Sequence, residues 1–277
     1  MNLKKAIAGV CLGALLLTGG CGQNQSNTQQ KQDTTEQNTT QAQEAAGVET
    51  EASSENGDPS QEEASRDIFA MDTYMSVTAF GENADAAVDA AQAEIERLDA
   101  MLSTGNGDSE IAKLNVSGTA ELSADAGYLV ERALELYTET DGAFDIAIYP
   151  VMEAWGFPSQ NYQVPSEDVL QERLTLADAS KVSYDADSRE ISFGEAGMEI
   201  DLGGIAKGYT SARIMDIFRS YGITSGLVNL GGNVQVLGTK TDGSKWRVAV
   251  QSPDDESDYL GVLSVSDKAV ITSGGYE

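Results

Sequence analysis

The chain has 277 residues, 40% of them hydrophobic, enough for one large core or two small ones, so disorder throughout is excluded. Its 45 acidic and 17 basic residues give a formal charge of -28, which argues against nucleic acid and anionic membrane surfaces as partners of the folded part. An anionic small molecule remains admissible given a local positive patch, because screening at physiological salt acts over about 8 Å.

Lys4 and Lys5 precede an apolar run from Ala6 to Leu17 that is too short to span a bilayer and has the form of an export signal. The run ends in "LLTGGCG", which resembles a bacterial lipoprotein signal with Cys21 as the acylated residue, although Thr18 stands where an aliphatic residue is commoner. This reading makes residues 1–20 a signal peptide and predicts an exported, lipid-anchored protein facing outside the cytoplasm. Cys11 would leave with the signal, so the mature chain would have no disulfide. Residues 21–65 supply the lipidated Cys and a polar linker with almost nothing to bury, expected to be a disordered tether.

The folded domain is expected over 66–277. "RDIFAMDTYMSVTAFG" alternates and is rich in aromatic and β-branched residues, which predicts a strand. From Asn83 the period becomes helical, with Val88, Ala91, Ile95, Leu98 and Leu102 on one face. Ser109 opens a short helix, and Ser123 caps another whose apolar face holds Leu129, Ala133, Leu136 and Tyr137, closed by Gly142. "GAFDIAIYPVMEAWGF" reads as a loop and a short apolar helix, and Pro165 and Ser166 start the next helix. "KVSYDADSREISFG" reads as a hairpin.

"GMEIDL" is expected to be a strand that feeds a glycine turn and a helix beginning near Ile205, stopped by Gly222. Four strand-like stretches follow: "SGLVNLGGNVQVLG", "KWRVAVQSP", "YLGVLSVS" and "KAVITSGG". The fold class is therefore α+β, a mixed, mainly antiparallel sheet core with packed helices. The end at Glu277, directly after a strand and a glycine turn, would leave a sheet edge and reads as an incomplete chain.

Asp201, Gly203, Gly204 and Lys207 place a carboxylate, free backbone N–H groups and a cation at a helix N-terminus, an arrangement that suits a phosphate; the Gly204 carbonyl could also face a cation. The spacing is neither a Walker A loop nor a Rossmann turn, and a purely structural turn with a surface Lys accounts for it equally well. In "DGAFDIAIYP", Gly142 as helix stop, Phe144 as core and Asp145 as helix cap compete with a loop that offers amides and a carboxylate to a heterocycle, the structural version being favoured. Trp155 reads as core.

Together "FAMDTYMSV", "LDAMLSTGNGDSEIAKLN", "DGAFDIAIYPVMEAWGF", "IDLGGIAKGYTSARIMDIFRSYGITSGLVNLGGNVQVLG", "WRVAVQSP" and "ITSGGYE" resemble, in order, the FAD:protein FMN transferase family, also called ApbE or flavin transferase. The resemblance implies Mg2+-dependent transfer of FMN from FAD to a Thr or Ser hydroxyl of an acceptor flavoprotein, with AMP leaving. The acceptor would be a subunit or domain of a redox-driven ion pump or an extracellular flavoprotein. By motif position, Met71, Ala143, Phe144, Asp145, Asp201 and Lys207 would contact FAD, and Gly204 would give its backbone carbonyl to the metal. Two departures stand out. Gly105 occupies a position that is often aromatic in the family, and an Asp, a Thr and a His-containing motif expected beyond "TSG" do not appear in this sequence, which has no His. A tethered flavin-binding lipoprotein without turnover and an FAD pyrophosphatase giving FMN and AMP suit the same motifs, and no residue stands out as catalytic base.

Overall fold

The computed structural model describes residues 62–255 and 258–272. The signal over 1–20, Cys21, most of the tether and the final "SGGYE" lie outside the described residues.

The first strand-like stretch is two strands. β1 (Glu63–Ala70) and β2 (Thr73–Phe80) pair antiparallel, and the chain reverses at Met71 and Asp72, both left-handed with φ 49° and 56°. Two consecutive positive φ values make a hairpin turn that follows the strand twist. Uninterrupted alternation concealed it, because neither Met nor Asp-Thr is the usual turn signal. β1 also starts at Glu63, so the last three residues assigned to the tether are strand.

The helices follow their apolar periods. α1 (Ala84–Leu102) buries Val88, Ala91, Ile95, Leu98 and Leu102. In α2 (Glu110–Ser117), α3 (Ala124–Glu139) and α5 (Glu167–Leu174) the N-caps Ser109, Ser123 and Ser166 each accept a backbone N–H from three residues on. That bond satisfies one of the donors every helix start leaves open. α4 (Tyr149–Trp155) is short and ends at Gly156, and α6 (Gly203–Ser220) is the glycine-led helix.

A five-stranded sheet has the order β1-β2-β6-β7-β10, with β6 (Ser225–Leu230), β7 (Asn233–Gly238) and β10 (Ala269–Ile271); every pairing is antiparallel. On one face Ile68, Met75, Val77, Val228 and Leu230 pack with Ile95, Ile214 and Phe218 of α1 and α6. On the other, Leu227, Val234 and Val236 receive Trp246 and Val248 of β8 (Trp246–Gln251), which pairs with β9 (Tyr259–Val265). A second core unites the far end of α1 with α2, α3 and a small sheet of β3 (Thr119–Glu121), β5 (Glu190–Phe193) and β4 (Val182–Asp185). Met71 packs against both cores, so the β1–β2 turn stands at their junction.

The stretch "GMEIDL" is extended but belongs to no strand. Met198, Ile200 and Leu202 are buried in alternation, as on one face of a strand, yet the backbone of Ile200 is held by a side chain, Asn115 of α2. The expected strand is thus an extended segment without a ladder partner among the described residues. α6 begins at Gly203, two residues earlier than expected, which puts both glycines inside its first turn.

Candidate active site

Between the β1–β2 turn, the end of α1 and the start of α6 lies a cleft of about 410 Å3, lined by Met71, Asp72, Asp99, Leu102, residues 103–106, Pro158, Asp201, Gly203, Ala206 and Lys207. Each wall has a local cause. Met71 is fixed through its backbone, whose N–H donates to Asp99 Oδ1 at 2.9 Å. The 103–106 loop is shaped by its own polar side chains: the Asn106 N–H donates to Ser103 Oγ at 3.1 Å, and the Ser109 hydroxyl donates to the Ser103 carbonyl.

Asp201 is placed from both sides. Its N–H donates to the Ile146 carbonyl at 2.8 Å, and its Oδ1 accepts the Gly203 N–H at 2.8 Å, so the carboxylate covers the N-terminus of α6. Burial pushes its carboxyl above the ordinary aspartate value and the negative charge of Asp72 adds to this, while the Gly203 bond opposes both. Leu202 accepts from Ile205 and Ala206, which leaves the Gly204 N–H of that turn without an acceptor among the described residues. Lys207 is half-buried in the cleft and has no ion-pair partner among the described residues.

The expected site residues divide. Met71, Asp201 and Lys207 meet in the cleft. Gly204 lies beside them in the first turn of α6, where a Cβ would come within 3.0 Å of Phe144 Cε2; glycine there admits the Phe144 ring against the helix. Ala143, Phe144 and Asp145 are not among the lining residues. Asp145 accepts from the Ala147 N–H at 2.7 Å and the Ala179 N–H at 3.2 Å, the capping role that competed with ligand contact. Asp72, Asp99, Ser103, Thr104, Asn106 and Pro158 escaped the sequence reading. Asp99 left a trace, since it stands four residues after Ile95 on the apolar stripe of α1, where a carboxylate needs a partner.

Behind the site, α6 is tied to α1 and α3 by a charged network. The Tyr209 hydroxyl donates to Asp125, Arg97 bridges Asp125 and Glu94 at 2.7 and 2.8 Å, and Arg213 reaches Glu94 at 3.1 Å. The Arg97 bond holds the Glu94 carboxyl below its usual value, and burial together with Asp125 pushes the Tyr209 hydroxyl up to about 12.

The oxygen-rich lining offers donors of the kind a hard divalent cation takes. Among the described residues, however, no group of three or more acidic, Cys or His side chains could hold a metal ion. As the second residue of α6, Gly204 directs its carbonyl along the helix toward the N–H four residues on, so a cation there would share an oxygen already inside the ladder. The described residues fit such an ion in chemical type, and among them they do not complete its ligand set.

The sequence model of the ApbE family matches residues 71–277. The chain belongs to the ApbE family. It is 31% identical over 236 residues to the FAD:protein FMN transferase of Treponema pallidum, an alignment that covers 78% of this chain and 65% of the relative. It is 30% identical over 187 residues to that of Klebsiella pneumoniae, covering 66% and 57%. The chain thus spans less than two thirds of the length of these relatives. The crystal structure of the Thermotoga maritima ApbE protein superposes with a TM-score of 0.74 at 28% identity, covering 78% of this chain and 72% of that one. Among ApbE structures, then, the antiparallel sheet with flanking helices is shared.

Proposed function

We propose that this ApbE-family chain binds FAD in the cleft at the start of α6 and transfers its FMN half to a Thr or Ser hydroxyl of an acceptor flavoprotein. The observation that carries the reading is Lys207, a cation without an ion-pair partner among the described residues, in the same cleft as Gly203 at the start of α6. One ammonium beside the positive end of a helix dipole suits phosphate oxygens, and the Gly204 N–H is the donor of that turn left without an acceptor among the described residues. The names of the relatives support the same reading.

In the reaction, the acceptor oxygen forms a bond to the phosphorus of the FMN half. The bond from that phosphorus to the bridging oxygen of the diphosphate breaks, AMP leaves with the bridging oxygen, and the hydroxyl proton passes to solvent. Lys207 and the α6 turn hold the diphosphate in line with the hydroxyl, and positioning with charge compensation is the main catalytic resource. Asp72, Asp99 and Asp201 share this cleft and oppose a diphosphate. Mg2+, when bound, would neutralise phosphate oxygens against those carboxylates. Asp201 would meet the cation or nucleotide through the oxygen that Gly203 leaves free.

We further propose that the protein acts outside the cytoplasm, anchored through Cys21, with the acceptor a subunit or domain of a redox-driven ion pump or an extracellular flavoprotein. The support is the signal-like start and the polar tether. Among the described residues no helix is long and apolar enough to cross a membrane.

The test mixes the full chain with FAD, Mg2+ and an acceptor flavoprotein domain, then follows covalent flavin by in-gel fluorescence and intact mass, and AMP by chromatography. Flavin on the acceptor with one AMP per transfer is expected. AMP released without an acceptor product makes the protein an FAD pyrophosphatase, and FAD bound without any AMP makes it a binding lipoprotein; either overturns the transferase reading.

A further inference from the structure

We propose that the exposed aromatic pair Phe157–Tyr162, in the loop after α4, is the surface on which the acceptor polypeptide docks; this rests on the transferase reading. The rings meet edge to face with centroids 5.6 Å apart, and they are 52% and 68% exposed, with Val164 nearby in sequence at 83%. Every residue from 157 to 164 is exposed, so these apolar side chains do not serve the core formed by the described residues.

The loop nevertheless has a defined shape. Phe157 N–H donates to the Met152 carbonyl at 3.1 Å, Gln160 N–H to Phe157 at 3.2 Å, and Gln163 N–H to Trp155 at 3.0 Å. The Gln163 side chain adds a bond to the Ala154 carbonyl at 3.1 Å. Gly156, at φ 80°, turns the chain so tightly that a Cβ would lie 2.0 Å from the Asn161 carbonyl oxygen. Gln160 also holds a left-handed backbone, φ 54°, that a non-glycine residue rarely takes. A loop that bonds itself into one conformation while presenting aromatic rings to water has the physical profile of a preorganised contact.

Its position selects the occupant. Pro158, bonded to Phe157, is part of the cleft wall, so the pair begins where the cleft ends. A macromolecular acceptor whose hydroxyl reaches phosphorus inside the cleft must cover that rim. Asp72, Asp99 and Asp201 in the lining, together with a formal charge of -28, disfavour an acidic segment. The fitting partner is a neutral or basic polypeptide segment, apolar beside its Thr or Ser, with side chains that pack on the two rings.

The experiment compares the full chain with the Phe157→Ala/Tyr162→Ala double variant and with Leu260→Ala, an exposed apolar control on β9. The probe is the flavoprotein domain labelled by the wild-type chain. Measured are the KM and kcat for that domain, the Kd for FAD from flavin fluorescence, and thermal unfolding. The expected result is a KM raised about tenfold or more in the double variant, with kcat, FAD affinity and midpoint unchanged and the control like wild type. An unchanged KM overturns the proposal. So does a loss of FAD affinity, which would assign the rings to the nucleotide. If the wild type binds FAD yet labels no acceptor, the transferase reading fails first and this proposal with it.

Discussion

The side-chain amide of Asn115 brackets Ile200, accepting its N–H at 2.8 Å and donating to its carbonyl at 2.9 Å. Ile200 is fully buried and precedes Asp201, so one side chain of α2 does for the segment before α6 what a neighbouring strand would do in a sheet. Asn115→Leu would remove both partners and leave two buried backbone groups unanswered. A loss on the order of 1–3 kcal/mol is expected in chemical denaturation, together with weaker FAD binding, because Asp201 is positioned from this segment. Asn115→Asp retains the acceptor and should fall between. Wild-type stability in the Leu variant would show that the bracket is incidental.

How much of this was legible depended on whether the controlling contact was local. The helices were readable because their signals lie within a few residues: Ser109, Ser123 and Ser166 all cap as expected, and the α1 stripe is buried. The Met71–Asp72 turn was not, since its left-handed conformation is imposed on residues that do not request it. The extended segment before Asp201 was half legible: its extended conformation could be read, while its partner, Asn115, is 85 residues away in the chain. The same division holds at the site. Asp201 and Lys207 could be found from one elbow, whereas Asp99 and Pro158 reach the cleft only through tertiary packing.

Lys207 offers a separation of binding from stability. Without an ion pair among the described residues, it contributes little to the fold that Lys207→Met would remove. The midpoint of unfolding should stay within about 0.5 kcal/mol of wild type. FAD affinity should fall about tenfold or more, as expected for a charge-assisted phosphate contact, and the remaining binding should depend less on salt. An unaltered Kd would remove Lys207 from the phosphate site.

Gly105 invites a gain. It lines the cleft, its φ is not left-handed, and a Cβ built on it meets only Ser103 Oγ, at 3.9 Å. The position is open to a larger side chain, and the family resemblance implies an aromatic there. Gly105→Tyr should therefore fold normally and tighten FAD binding by about 1 kcal/mol through ring stacking, with stronger quenching of bound flavin fluorescence. Tighter binding without added quenching would place the ring elsewhere than on the flavin.

Asp201 sets function against stability, and pH reveals the sign. Burial and Asp72 raise its carboxyl in the folded state, so the folded protein binds that proton more tightly than the unfolded chain. The contribution of this group is therefore fully present below the unfolded value, about 3.9, and declines as pH rises through the window between that value and the higher folded one. Asp201→Asn removes the ionisation while its Oδ1 can still accept the Gly203 N–H, so the start of α6 is preserved. Denaturant titrations should give nearly equal stabilities below about pH 3.9, with the Asn variant becoming the more stable as pH approaches 7. At neutral pH, with Mg2+ present, the same variant should lose FAD binding or turnover. A wild type that is the more stable at pH 7 would mean that the carboxylate has a favourable partner inside the fold, and that its place in the cleft reflects structure instead of ligand.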